Sequence, residues 1–129
     1  MMRSRESKKD IEFEIQFYEA LLTKNPNFVE ALAALGDAYT KRGLYQKGLV
    51  VDERLAKIKP DDPVVLYNLA CSYSLLNDLD KAFVFVKKAV TFGYCDFHHM
   101  QRDEDLNNLR SDSRFKRYMI NLKKKLNKG

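Results

Sequence analysis

The residues best equipped for chemistry stand together in one short stretch, Cys95-Asp96-Phe97-His98-His99. Thiolate, carboxylate and imidazole are all zinc-type ligands. Adjacent residues on a helix, however, point about 100° apart, so His98 and His99 are poorly placed to share an ion. A metal site drawing in Cys95 and Asp96 is therefore the weaker expectation. No Gly-rich phosphate loop, nucleophile elbow or Cys-x-x-Cys pair occurs in the chain, and the acidic residues scatter as they do on solvated helix faces. These residues predict a protein that is not an enzyme, with no catalytic residue, no metal and no cofactor.

A second chemistry is electrostatic. Residues 110–129 contain Arg110, Arg114, Lys116, Arg117, Lys123, Lys124, Lys125 and Lys128 against Asp112 alone, while the whole chain carries only +5. A basic helix of this kind could engage nucleic-acid phosphates or an anionic membrane face. Cations near a helix C-terminus also suit its dipole, and a lysine-rich end aids solubility. The tail has no aromatic interleaving for base stacking and no nucleic-acid motif. A solvated basic face is thus the expectation, with nucleic-acid or membrane binding as the alternative.

The elements that position these groups follow from composition and period. A chain of 129 residues, 45% hydrophobic and 32% charged, fits one globular domain, long enough to bury roughly two thirds of its unfolded surface. With five glycines and three prolines, long helices are easier to write than many short strands. The start, MMRSRESKKD, is polar with no apolar run behind it, and no stretch approaches the roughly 20 apolar residues that span a bilayer. Cys71 and Cys95 are then expected as free thiols, in a cytoplasmic protein.

Internal repetition is the strongest signal. A shift of 34 residues pairs Pro26 with Pro60, Leu32 with Leu66, Leu35 with Leu69, Gly36 with Ala70 and Tyr39 with Tyr73. It also pairs Lys47 with Lys81, Gly48 with Ala82 and Leu49 with Phe83. Within each unit the apolar spacing is helical. Phe28, Leu32, Leu35 and Tyr39 form one stripe, with Asn27 as the expected cap and Glu30 able to reach back to it. After Gly43, the residues Leu49, Val50, Leu55 and Ile58 form a second stripe. Asp62-Pro63 opens the next unit as cap and N1 proline, with Leu66, Leu69 and Tyr73 following. Asn77-Asp78 turns the chain, and Phe83, Val86, Ala89 and Val90 close that unit. Each unit is a pair of antiparallel helices, and Gly36, Gly48, Ala70 and Ala82 let the pairs approach closely.

On these residues the chain resembles the tetratricopeptide repeat family, with repeats over 27–60 and 61–94. The first departs from the family pattern at Gly48, Asp52 and Leu55, and the second at Tyr94, where proline is usual. Residues 8–26, with Ile15, Phe17 and Leu21, are similar to the second helix of a truncated repeat, and Glu14 replaces its usual small residue. Residues 1–7 are expected to be disordered. Gly93 ends the last repeat helix. Residues 95–129, with Leu106, Leu109, Phe115, Tyr118, Met119 and Leu122, are similar to the capping helices of bacterial members, which cover the final repeat's apolar face.

The resemblance implies an all-α superhelix whose concave face binds a protein or peptide. Its groove positions fall on Glu30, Ala33, Asp37, Thr40 and Lys41, and on Val64, Tyr67, Asn68, Cys71, Ser74 and Leu75, with Arg102 beyond them. Tyr67 and Asn68 are the foremost expected ligand contacts, since one gives broad amphipathic area and the other an amide for an extended backbone. Family members that clamp a chaperone's C-terminal carboxylate place Lys and Asn where this chain has Ala33 and Asp37. Asn68 and Arg102 match that clamp, but His98 stands at a Lys position and Asp37 repels a carboxylate. A scaffold or interaction module is the expectation, a clamp the lesser alternative, and self-association of so short an array a further one.

Overall fold

The computed structural model describes residues 7–128, and among them every regular element is helical. In chain order these are α1 (Lys8–Lys24), α2 (Val29–Lys41), α3 (Tyr45–Ile58), α4 (Pro63–Leu75) and α5 (Leu79–Thr91). A short α6 (Phe97–Arg102), a 3-10 turn (Glu104–Leu106), α7 (Asn107–Arg110) and the long α8 (Ser113–Lys128) complete the chain. The expected disordered stretch 1–7 lies outside the described residues except for Ser7, whose hydroxyl accepts from the Asp10 amide and caps α1. No described helix is long and apolar enough to cross a membrane.

Each helix from α1 to α5 packs on the next, and the 34-residue recurrence is visible in atoms. Tyr39 donates its hydroxyl to Glu19 at 2.5 Å, and Tyr73 donates to Glu53 at 2.6 Å. Lys47 lies over the Tyr39 ring at 5.7 Å, and Lys81 over Tyr73 at 5.5 Å. The turns correspond as well: Gly43 has φ +82 and Asn77 has φ +63. At both places a left-handed residue ends the first helix of a pair, a conformation open to glycine and tolerated by asparagine. The next residue's amide then reaches back, Leu44 to the Tyr39 carbonyl and Asp78 to that of Tyr73.

Caps fall mostly where short polar side chains permit. Asp62 accepts from the Val64 and Val65 amides, with Pro63 at the first helical position, and Asp78 accepts from Lys81. The expected Asn27 cap is not made. Phe28 donates its amide to the Asn25 carbonyl, closing a turn that moves the helix start one residue on. Phe28 thus takes the cap position with no side-chain bond. Two expected core residues also point outward. Val50 is 58% exposed because Leu49, Asp52 and Leu55 take the inward face of α3, and the residue after Leu49 is turned about 100° away. Phe17 is exposed for the same reason, with Ile11 and Ile15 inward.

The C-terminal segment closes the array. Met100, Leu106, Leu109 and Phe115 are buried in the cluster that holds Leu66, Leu69, Val86 and Ala89. Tyr118 meets Phe83 edge-on at 5.8 Å. Polar ties fix the segment's register: the Leu109 amide donates to the Ser74 hydroxyl, and the Asn108 amide group donates to the Ser74 carbonyl. The Arg110 guanidinium donates to the carbonyls of Met100 and Asp103 and to the Asn107 side chain. Arg114 bridges Asp80 and Asp112, both at 2.8 Å.

The close approach of α2 and α3 makes an unequal pair of glycines. A methyl group on Gly36 would stand 2.6 Å from Asp52 Oδ1, whereas one on Gly48 would meet Thr40 Oγ1 at 3.3 Å. Gly36→Ala is therefore expected to destabilise by about 1–3 kcal/mol through overpacking. In Gly48→Ala, a helix-propensity gain of about 0.5–1 kcal/mol offsets the tighter contact. Urea unfolding of both variants checks the contrast, and equal effects would show that Asp52 yields freely.

Candidate functional site

The face formed by α2 and α4 holds a cavity of about 80 Å³. Ala33, Asp37 and Thr40 come from α2, and Asn68, Cys71 and Leu75 from α4. Gly36, Asp52, Leu55, Ser72 and Asp105 complete its wall. The three-or-four-residue spacing within each helix places these side chains along one edge. The two edges come together because α3 packs against both helices.

At the base of the cavity stands Asp52, 8% exposed. Ser72 donates its hydroxyl to Asp52 Oδ2 at 2.5 Å. Burial pushes the carboxyl up to about 6, opposed by the Ser72 hydrogen bond and aided by the charge of Asp37. Among the described buried side chains no nitrogen or oxygen lacks a hydrogen-bond partner. Asp37 is exposed and pairs with Lys41 at 3.2 Å. Asn68 is exposed, and Thr40 is half-buried with its hydroxyl on the Gly36 carbonyl. Asp105 brings a third carboxylate from the 3-10 turn. The hollow therefore presents acidic and amide oxygens on a partly apolar frame.

Of the residues expected to form a groove, Asp37, Thr40, Asn68 and Cys71 converge here, with Ala33 and Leu75 beside them. Glu30 and Val64 are exposed on the same helices outside the cavity wall. Tyr67 is not available to a ligand, since it is 3% exposed. Its hydroxyl donates to Asp103 at 2.7 Å, and its ring stacks on Tyr94 at 4.2 Å between centroids. Ser74 is buried beneath α7, which engages both its hydroxyl and its carbonyl. Arg102 stands on α6 with Nη1 3.0 Å from His98 Nε2, and Lys41 turns to Asp37. Neither lines the cavity. Cys71 is buried, and burial together with the charges of Asp103 and Asp105 pushes its thiol well above the ordinary range.

Asp103 explains the loss of Tyr67 and was not legible as a site residue. Its Oδ2 also receives His99 Nε2 at 3.1 Å, while Oδ1 accepts from the Asp105 amide. The two histidines thus turn to different partners, His98 to Arg102 and His99 to Asp103. Among the described residues no group of three or more His, Cys, Asp or Glu could hold a metal ion. Asp52, Ser72 and Asp105 were missed as site residues because their places depend on which helices pack together. The single signal for Asp52 was an acid where the pattern of the resembled family has a large hydrophobe.

No family model matches the chain. Over 83 residues it is 34% identical to a chloroplastic protein of Arabidopsis thaliana, an alignment that covers 62% of this chain and 25% of that protein. The chain thus spans about a quarter of the length of the curated relative it matches.

The Asp52 carboxyl has a definite sign of pH dependence. It ionises at about 3.9 in an unfolded chain and at about 6 in the fold. The stability this gives is fully present below about pH 4 and is lost as pH rises through about 6. The stability of the unaltered protein minus that of Asp52→Asn should fall by about 2–3 kcal/mol between pH 4 and pH 7. Urea unfolding across that range measures it, and a flat difference would contradict the burial argument. Tyr67→Phe should lower stability by about 1–2 kcal/mol by leaving Asp103 short of a donor, measurable in the same denaturant series.

Proposed function

We propose that this chain is a helical-repeat module of the tetratricopeptide type that holds a segment of another protein against the α2–α4 face and catalyses nothing. One observation carries the reading. Six groove positions implied by the resemblance, Ala33, Asp37, Thr40, Asn68, Cys71 and Leu75, line one cavity. A hollow shared by two helices, with Asp37 and Asn68 exposed at it, is how stacked helix pairs present a binding surface.

The charge of the cavity indicates what suits it. Asp37, Asp52 and Asp105 are carboxylates, so a lysine or arginine side chain is matched and a terminal carboxylate is repelled. That charge and the place of Arg102 against His98, away from the cavity, both argue against a carboxylate clamp. Asn68 supplies an exposed amide for the backbone beside such a side chain.

The test uses the full chain and two fluorescent peptides of one apolar-polar pattern, one bearing lysines and the other glutamates. The lysine peptide should bind, and Asp37→Lys with Asn68→Ala should weaken it by about tenfold, equal to about 1.4 kcal/mol. Both side chains are exposed, so the circular dichroism of the variant should be unchanged. Undiminished affinity in the folded variant would refute recognition through this face.

A further inference from the structure

Helix α8 carries a surface that the concave face does not use. Its sequence from Ser113 to Lys128 contains seven Lys or Arg residues and no acid. Arg114 is neutralised by Asp80 and Asp112. Lys116, Arg117, Lys123, Lys124 and Lys125 are exposed, and the ion pairs among the described residues leave these five without an acidic partner.

Apolar groups lie among these cations. One hollow opens between Phe97 of α6 and Met119, Leu122 and Leu126 of α8. A second shares Gln101 and Met119 with it and runs on to Phe115 and Ile120. Together they make one groove from Phe115 to Leu126, about 17 Å along the helix at 1.5 Å per residue. Ile120 and Leu126 are 56% and 55% exposed, apolar area of the kind that marks an interaction site when it is contiguous. Lys116 borders the second hollow and Lys123 the first. Seven residues apart, they stand on one edge of α8 at about 10.5 Å.

We infer that this groove holds an acidic amphipathic helix of a partner protein. Leucine-type side chains of such a helix would seat against Phe97, Met119 and Leu126, with two carboxylates seven residues apart facing Lys116 and Lys123. This is helix-in-groove recognition, with charge setting orientation and on-rate. The shape favours a helix over a bilayer: the apolar floor is recessed between α6 and α8, where a flat lipid surface reaches poorly. The apolar floor also favours it over nucleic acid, whose phosphates need cations alone. The inference is independent of the α2–α4 reading, because the surfaces share no residue.

The experiment titrates the isotope-labelled full chain with a synthetic helical peptide of about sixteen residues, leucine on one face and glutamate flanking it. Saturable shifts at Gln101, Met119, Ile120 and Leu126, with affinity falling as salt rises, are expected. Lys116→Glu with Lys123→Glu, both on the surface, should weaken binding at least about tenfold and leave folding intact. A peptide with lysine in place of glutamate should leave Gln101, Met119, Ile120 and Leu126 unshifted, whatever it does at the α2–α4 face. Shifts confined to α2 and α4 would overturn the inference, as would no saturation. Equal effects of the double variant on binding to phosphatidylserine vesicles or duplex DNA, with the peptide inert, would replace the helix by lipid or nucleic acid. A dimer by sedimentation that hides Ile120 and Leu126 before any peptide is added would assign the groove to a second copy instead.

Discussion

The arrangement turns on one buried contact that threads three helices: Gly36 of α2, Asp52 of α3 and Ser72 of α4. A carboxylate is an expensive thing to bury, and only a hydrogen bond and a shifted ionisation make it tolerable. Ser72 supplies the bond, and burial supplies the shift. Gly36 supplies the space, since any side chain there would meet Asp52. Once these three residues are set, the separation of α2 and α4 is set too, and with it the width of the cavity between them. An apolar residue at position 52 would fill the same volume and remove the acid from the cavity base. The polar choice therefore bears on the surface more than on the core.

The same geometry explains why the chain needs its last third. Packing each helix on the next buries Tyr73, Val86 and Ala89 on one side and leaves the far side of α4 and α5 apolar. Met100, Leu106, Leu109 and Phe115 fill that side. Their register comes from polar ties to backbone, with Ser74 holding α7 and Arg110 holding the carbonyls of Met100 and Asp103. Tyr67 and Ser74 are consumed in this closure. Tyr67 is held by Asp103 and Ser74 by Asn108 and Leu109, so neither is open to solvent.

That closure also marks the limit of what could be read from residues alone. Features governed by local spacing were legible: the 34-residue recurrence, the Asp62-Pro63 start, the turn at Asn77, the small residues at Gly36, Gly48, Ala70 and Ala82, and the burial of Leu106, Leu109 and Phe115. Features decided by distant partners were not. Nothing near Tyr67 announces that Asp103, 36 residues on, will take its hydroxyl. Asn27 has the right chemistry for a cap, yet the Asn25 turn displaces the helix start by one residue. Val50 and Phe17 are apolar residues one or two places off the inward stripe, and composition cannot separate them from their buried neighbours. In the candidate site, the helix positions facing the cavity were legible, but its acid base and the contribution of Asp105 were not.

Charge divides the molecule as clearly as packing does. Three acids, Asp37, Asp52 and Asp105, line the cavity where α2, α3 and the 3-10 turn meet, and seven Lys or Arg residues lie along α8. A rigid helical array keeps the two apart, because the cations of α8 face solvent and α6, away from the α2–α4 cavity. Opposite charges this concentrated would quench each other in a flexible chain. Held on separate elements the two sets do not meet each other, and Asp37 pairs instead with Lys41 of its own helix. On the proposed reading, one small fold thereby offers two surfaces that reject each other's ligands by like-charge repulsion, and the separation rests on the same helix contacts that bury Asp52.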